Sequence, residues 1–280
     1  MNSLLKRTLS GAVLVVVMVG MILLSIHTLL VLTLLITAVS MHEFYRLSAG
    51  GSDRKPFESF YSIMIGWGMI SLVYAVVWYW LSPEWFLLLL PAVFLLFIGQ
   101  LYCKKTLSPL RRIGEQLTAL VYIAVPMSLL VALGVQPDAG GQPAYNAGLV
   151  LLYVVLIWIN DVGAYLVGVT IGKHRLFERL SPKKSWEGFF GGLIFTVLAA
   201  VFGGPWITGM QNTPVWVWFI FGVVLTLSAV LGDLVESMFK REAGVKDSGT
   251  IIPGHGGFLD RFDAMFISLP FVYVFARLVM

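Results

Sequence analysis

The chain has 280 residues, of which 58% are hydrophobic and only 12% are charged, and its formal net charge is +4. Soluble domains carry about 25% charged residues, so this composition predicts an integral membrane protein and excludes a soluble globular domain. The single cysteine, Cys103, excludes a disulfide framework and any multi-cysteine metal site.

Nine apolar segments are long enough to cross a bilayer as helices. The fold class predicted is therefore all-α and polytopic. About five spans fall in an N-terminal region, residues 1–135, and about four in a C-terminal candidate catalytic region, residues 136–280. The first span follows two basic residues, and we expect it to be retained rather than cleaved as a signal peptide. The predicted spans lie near residues 9–26, 28–45, 60–80, 84–101, 116–134, 148–171, 188–207, 214–233 and 262–279.

The basic residues predict the orientation of these spans. With nine crossings, the N-terminus and the loops after the even-numbered spans share one side and hold 18 of the 19 Lys and Arg residues. Arg277 is the exception. The positive-inside rule then places the N-terminus and these loops in the cytoplasm, and the C-terminus on the opposite side.

The sixth span carries polar residues inside an apolar helix. Asp161 and Tyr165 are four residues apart and share one face, next to Asn160. An ionisable residue at membrane depth indicates function by default. The alternative is a hydrogen bond between packed helices.

A second acidic group ends the eighth span. Asp233, Glu236 and Ser237 are spaced i, i+3 and i+4 and therefore project to one side of a helix. Carboxylates beside a hydroxyl suit a hard cation such as Mg²⁺. The alternative is a solvated helix end in which Glu236 forms an ordinary ion pair with Lys240.

The 27-residue stretch from Ser237 to Asp263 breaks the apolar pattern before the last span. Asp260 and Asp263 share a face if the last helix has begun there, and they are either a helix cap or part of a metal site with Asp233. Glycines let a backbone approach a ligand, and basic side chains neutralise phosphate. The alternative is that the basic residues follow from positive-inside topology and that the glycines are required by turn geometry. The basic side chains of the stretch are Lys240, Arg241, Lys246, His255 and Arg261.

A second basic loop precedes the seventh span and offers Lys183, Lys184 and Ser185 as contacts for nucleotide or lipid phosphate. Juxtamembrane basic residues also attract anionic lipids without specificity. The neighbouring GVTIGKH run lacks the spacing and the hydroxyl of a phosphate-binding P-loop. Zinc-protease and serine-hydrolase motifs are absent from the sequence.

The run S-x-F-K-R-x4-K-D-x-G-x2-I-P-x-H-G-G-F-x-D-R-F-D, here Ser237 to Asp263, resembles the signature of the phosphatidate cytidylyltransferases, also called CDP-diacylglycerol synthases. GDLVES, NDVGAY and SPKKSWEG resemble further motifs of that family, and HEFYRL resembles its weaker N-terminal pattern. One departure is Val169, where the family often has Arg. The strong motifs cover roughly the C-terminal half of the chain.

This resemblance implies that CTP and phosphatidic acid react to give CDP-diacylglycerol and pyrophosphate. It implies Mg²⁺ as the cofactor and is compatible with a second cation. With that chemistry we expect Asp233 and Asp260 to be metal ligands, and Asp161 and Asp263 to be either further ligands or side chains that hydrogen-bond to the ligands. The expected catalytic residues are Asp233, Asp260, Asp263, Lys246 and Arg261. The expected nucleotide and substrate contacts are Ser237, Lys240, Arg241, Asp247, His255, Gly256, Gly257, Lys183, Lys184 and Ser185.

The resemblance also sets expectations for partners and location. CTP, phosphatidic acid and membrane lipids are the expected partners, a homodimer is compatible with the resemblance, and no nucleic acid is expected. The expected location is the bacterial inner (plasma) membrane, with the site at the cytoplasmic interface.

Four other functions compete with this hypothesis. A CDP-alcohol phosphotransferase is disfavoured, because its D-G-x2-A-R…G-x3-D-x3-D motif is absent from the sequence. A CTP-dependent polyprenol or phytol kinase would release CDP instead of pyrophosphate. A secondary transporter would place its charges near mid-membrane and show internal symmetry, whereas these charges gather at one end of the spans. A non-catalytic scaffold leaves the acidic cluster unexplained.

Overall fold

A computed structural model describes residues 3–48, 56–102, 108–138, 140–249, 251 and 256–280. Most of these residues are helical. Within these ranges the α-helices are α1 (Ser3–Leu24), α2 (Ile26–Ser48), α3 (Pro56–Val77), α4 (Leu89–Leu101), α5 (Pro109–Ala119), α6 (Val125–Leu133), α7 (Ala147–Ile171), α8 (Trp186–Thr208), α9 (Val215–Glu242) and α10 (Leu259–Val279).

The helices confirm the predicted all-α polytopic fold. Among the described residues, eight helical stretches are long and apolar enough to cross a membrane, and Thr8–Leu24 is a shorter ninth. The fourth stretch joins a 3₁₀ turn, Pro83–Leu88, to α4, and the fifth joins α5 to α6 through a π-helical turn, Leu120–Ala124. The chain is therefore an integral membrane protein, whose orientation stays a prediction.

The predicted break between the last two spans is shorter than expected, because α9 continues through Glu242. Its 28 residues make a helix about 42 Å long, and the hydrocarbon core is only about 30 Å thick. Gly244, at φ 69°, ends the helix, where Val245 N–H donates to Lys240 O and Gly244 N–H to Arg241 O. This is the hydrogen-bond pattern of a glycine-terminated helix.

Two short antiparallel hairpins interrupt the helical pattern. Strands β1 (Val135–Pro137) and β2 (Pro143–Tyr145) pair before α7, and β3 (Arg175–Phe177) and β4 (Ser181–Ser185) pair between α7 and α8. The second hairpin lies in the basic loop that was expected to bind phosphate, and it brings that loop to the end of α9.

Glycines bring the C-terminal helices into close contact. A Cβ at Gly192 of α8 would lie 2.6 Å from Asn160 Oδ1 of α7, and one at Gly232 of α9 would lie 2.6 Å from the carbonyl oxygen of Asp263 of α10. Small residues at such positions let helix backbones approach inside a membrane. The contact at Gly232 places Asp233 and Glu236 of α9 beside Asp263 of α10.

Candidate active site

Three carboxylates meet where α9 and α10 touch. Oxygens of Asp233, Glu236 and Asp263 all lie within 4.8 Å of one another. The Glu236 side chain is fully buried, and its Oε1 accepts no hydrogen bond from the described residues. Three carboxylates held this close together repel one another, so the group fits a bound cation. We call Asp233, Glu236 and Asp263 the acidic cluster.

Lys184 reaches the acidic cluster from the β3–β4 hairpin and pairs with Asp233 Oδ2. The Lys184 and Asp233 side chains are 27% and 37% exposed, so this edge of the cluster is open. The hairpin itself is tied to α8 by Glu187, whose Oε2 accepts the N–H of Lys173 at 3.1 Å and of His174 at 3.2 Å. A positive charge is thus held at the entrance to the cluster.

Lys240 lies on the inner side, between two carboxylates. Its ammonium pairs with Glu236 and lies 2.7 Å from Asp260 Oδ1, and only 14% of its side chain is exposed. The i, i+4 pair between Glu236 and Lys240 that the sequence offered as an alternative is present, but it is buried and not solvated. The phosphate contact expected of Lys240 stays a prediction.

Asp260 occupies the first turn of α10 but is outside the acidic cluster. Its Oδ1 receives Lys240, and its Oδ2 accepts the N–H groups of Ser248 at 3.0 Å and Gly257 at 2.9 Å. Both oxygens are therefore engaged in holding the loop after α9 against α10. Direct metal ligation by Asp260 stays a prediction.

Glu43 of α2 is a component of the site that the sequence did not reveal. Its side chain is 1% exposed, and its Oε2 accepts Leu259 N–H at 2.7 Å and the Ser248 hydroxyl at 3.2 Å. A Cβ on Gly257 would lie 2.0 Å from Ser248 Oγ and 2.8 Å from Glu43 Oε2, so only glycine fits there without displacement. Glu43 thus holds the loop at Ser248 and at its junction with α10. The sequence feature that could have indicated Glu43 is its position as an acid in the last turns of an apolar helix, within HEFYRL.

Asp161 of α7 lies near Asp233 of the acidic cluster. Its side chain is accessible, and it interacts electrostatically with Asp233, Lys184 and Arg261. Asn160 beside it is buried against α8. Acids from α7, α9 and α10 therefore converge, as the sequence predicted, at one end of the apolar helices.

Comparison with known proteins identifies the family of the chain. A family model described as "Cytidylyltransferase family" matches residues 5–279. The chain belongs to the cytidylyltransferase family. The phosphatidate cytidylyltransferase of Staphylococcus aureus (strain COL) is 48% identical over 127 residues, which are 44% of this chain and 47% of the relative. That of Staphylococcus epidermidis (strain ATCC 12228) is 43% identical over 125 residues, which are 45% and 47%. That of Mycobacterium tuberculosis (strain H37Rv) is 40% identical over 154 residues, which are 54% and 44%. The chain spans about half the length of these curated relatives.

The remaining predicted residues make local contacts, are exposed, or lie outside the described part of the chain. Ser237 Oγ donates to Asp233 Oδ1 at 3.4 Å, whereas Ser185 caps α8 by accepting Gly188 N–H at 3.1 Å. Gly256 adopts φ 86°, which favours glycine. His255 lies outside the described residues. The side chains exposed to solvent are Lys183, Arg241, Lys246, Asp247 and Arg261.

Proposed function

We propose that the chain transfers the cytidylyl group of CTP to phosphatidate, giving CDP-diacylglycerol and pyrophosphate. The observation that carries this proposal is the acidic cluster with Lys184 at its open edge, at one end of membrane-spanning helices. A water-soluble nucleotide and a lipid headgroup can both reach such a position. The relatives are phosphatidate cytidylyltransferases, and this supports the same substrates.

The reaction makes limited demands on proton transfer. A phosphate oxygen of phosphatidate attacks the α-phosphorus of CTP, and the bond from that phosphorus to the oxygen bridging to the β-phosphorus breaks, which releases pyrophosphate. The attacking group is already an anion, so a strong general base is not required. The main barrier is repulsion between anions, which cations fixed in the site can lower.

The donor set fits Mg²⁺, which prefers carboxylate oxygens and keeps waters and substrate phosphates in its other positions. Asp233, Glu236 and Asp263 would hold the ion, with Asp161 close enough to Asp233 to orient it or to contribute to a second site. When bound, the ion would supply charge neutralisation for the triphosphate.

The chain's own basic residues have separate tasks in this proposal. Lys184 pairs with Asp233 at the open edge of the cluster, and its ammonium would pair with a phosphate of CTP when the nucleotide binds. Lys240 stays between Glu236 and Asp260 and keeps the inner face of the cluster compact. Lys246 and Arg261, both exposed, would contact the phosphates.

The site is proposed to face the cytoplasm of a bacterial cell at its plasma membrane. Positive-inside topology supports that side, and the relatives reported above are bacterial. This location supplies CTP from the cytoplasm and phosphatidate from the inner leaflet.

Product analysis tests the proposed function. Purified protein in detergent is given CTP labelled in the α- and γ-phosphates, with phosphatidate and Mg²⁺, and the products are separated. We expect labelled pyrophosphate and labelled CDP-diacylglycerol in equal amounts, only when phosphatidate is present. Release of CDP with a polyprenol, or no turnover with phosphatidate, would contradict the proposal.

A further inference from the structure

An apolar groove of about 190 Å³ lies beside the acidic cluster, between α1, α7 and α10. Nine of its ten lining residues are apolar or glycine, and the tenth is Arg261. The lining includes Val15 and Met18 of α1, Ile157 and Trp158 of α7, and Met265 of α10.

The groove has a charged end and an apolar end. On α10, Arg261 lies one turn before Met265, and on α7, Asp161 lies one turn after Ile157. Arg261 and Asp161 interact electrostatically, so they mark the same end. The groove therefore begins at the acidic site and continues along the apolar helices.

The dimensions of the groove match part of a lipid tail. Along α1 its lining extends from Gly11 to Met18, which is about 10 Å at the rise of an α-helix. The hydrocarbon region of one leaflet is about 15 Å deep, half of the bilayer core. The groove thus covers about two thirds of that depth.

We propose that this groove binds the headgroup-proximal part of one acyl chain of phosphatidate, with the Arg261 guanidinium receiving the lipid phosphate. The inference rests on the proposed function and adds the position at which the lipid substrate binds. Guanidinium and phosphate are complementary in charge and geometry, and the groove provides an apolar path directly away from that contact. The lipid phosphate would thereby arrive beside Asp161 and the acidic cluster.

Two tryptophan variants on α1 test the groove kinetically. Val15 lines the groove and is 41% exposed, whereas the adjacent Val16 is 70% exposed and does not line it. V15W should raise the KM for phosphatidate about fivefold and leave the KM for CTP unchanged, and V16W should change neither. The effect is modest because a tail excluded from the groove still finds hydrocarbon in the micelle. Equal phosphatidate KM values for V15W and V16W would overturn the proposal.

Photolabelling tests occupancy without turnover. A phosphatidate analogue with a diazirine near the carbonyl end of its acyl chain is irradiated with the wild-type protein, and labelled peptides are mapped. We expect labelling of the peptide containing Val15 that unlabelled phosphatidate suppresses and phosphatidylcholine does not. Equal suppression by both lipids would show bulk lipid in the groove and overturn the inference. Failure of the proposed function appears differently, as a wild-type protein that makes no pyrophosphate.

Discussion

Glu43 offers a sharp test of how the site is built, because it joins α2 to a loop more than 200 positions later in the chain. Its Oε2 accepts the backbone N–H of Leu259 at 2.7 Å and the hydroxyl of Ser248 at 3.2 Å. Replacing Glu43 by Gln keeps an acceptor but removes its charge. Replacing it by Ala removes both hydrogen bonds and leaves a buried donor without a partner.

The magnitudes follow from these contacts. Hydrogen bonds to charged groups contribute about 1.5–3 kcal/mol, and neutral ones contribute about 0.5–1.5 kcal/mol. E43Q should therefore weaken docking of the loop by about 1–2 kcal/mol. E43A should weaken it by about 3–5 kcal/mol, since an unsatisfied buried N–H and a cavity are added. Each 1.4 kcal/mol is a factor of about ten in the docking equilibrium.

Hydrogen exchange followed by mass spectrometry measures this docking directly. Local opening free energies set the exchange rates of protected amides. Peptides containing the amides of Ser248 and Leu259 should exchange about tenfold faster in E43Q and faster still in E43A, and pyrophosphate release should fall in the same order. E84Q is the matched control, because Glu84 is exposed and far along the chain from both partners. Exchange in E43A that equals the wild type would refute the anchoring role of Glu43.

Three further variants test other contacts of the site. G232A should lower both turnover and the unfolding temperature, since its Cβ would lie 2.6 Å from a carbonyl oxygen of α10. G68A is the control and should preserve or slightly raise stability, because its Cβ would have no neighbour within 4 Å. Differential scanning fluorimetry and turnover in detergent measure the two effects. In the absence of nucleotide, K184Q should tighten Mn²⁺ binding several-fold, because Asp233 loses its ion pair with Lys184, and it should also slow turnover. Electron paramagnetic resonance measures the Mn²⁺ affinity, and an unchanged affinity would contradict competition between Lys184 and the cation for Asp233. K240A should destabilise the protein by about 3–5 kcal/mol by leaving buried carboxylates uncompensated, and an unfolding temperature equal to that of the wild type would contradict this role.

The sequence was informative where a single physical constraint dominates. A bilayer requires long apolar helices, so the spans could be located within a few residues, with the largest difference at the C-terminal end of α9. Acids are rare in such helices, and this singled out Asp161, Asp233 and Asp263, which the structure brings together.

The parts that sequence reasoning missed depend on contacts between distant segments. Glu43 is an ordinary helix-end acid until α2 packs beside the loop that ends at Leu259. The strand Ser181–Ser185 contains Pro and Lys, which have low strand propensity, and it forms because it pairs with Arg175–Phe177. For Glu236 the sequence left two interpretations, a cation ligand beside Asp233 or a solvated partner of Lys240, and its burial beside Asp233 and Asp263 favours the first.

The most direct test of the central claim is the turnover of D263N. Asp263 belongs to the acidic cluster, whereas Asp138, in the β1–β2 hairpin, accepts the local backbone N–H groups of Gly140 and Gln142 and serves as the matched control. At saturating CTP, phosphatidate and Mg²⁺, we expect D263N to release pyrophosphate about 100-fold or more slowly than the wild type, because fixed charge that stabilises phosphoryl transfer contributes several kcal/mol. D138N should match the wild type. A D263N variant that is folded and turns over at the wild-type rate would contradict the assignment of the acidic cluster as the site of transfer.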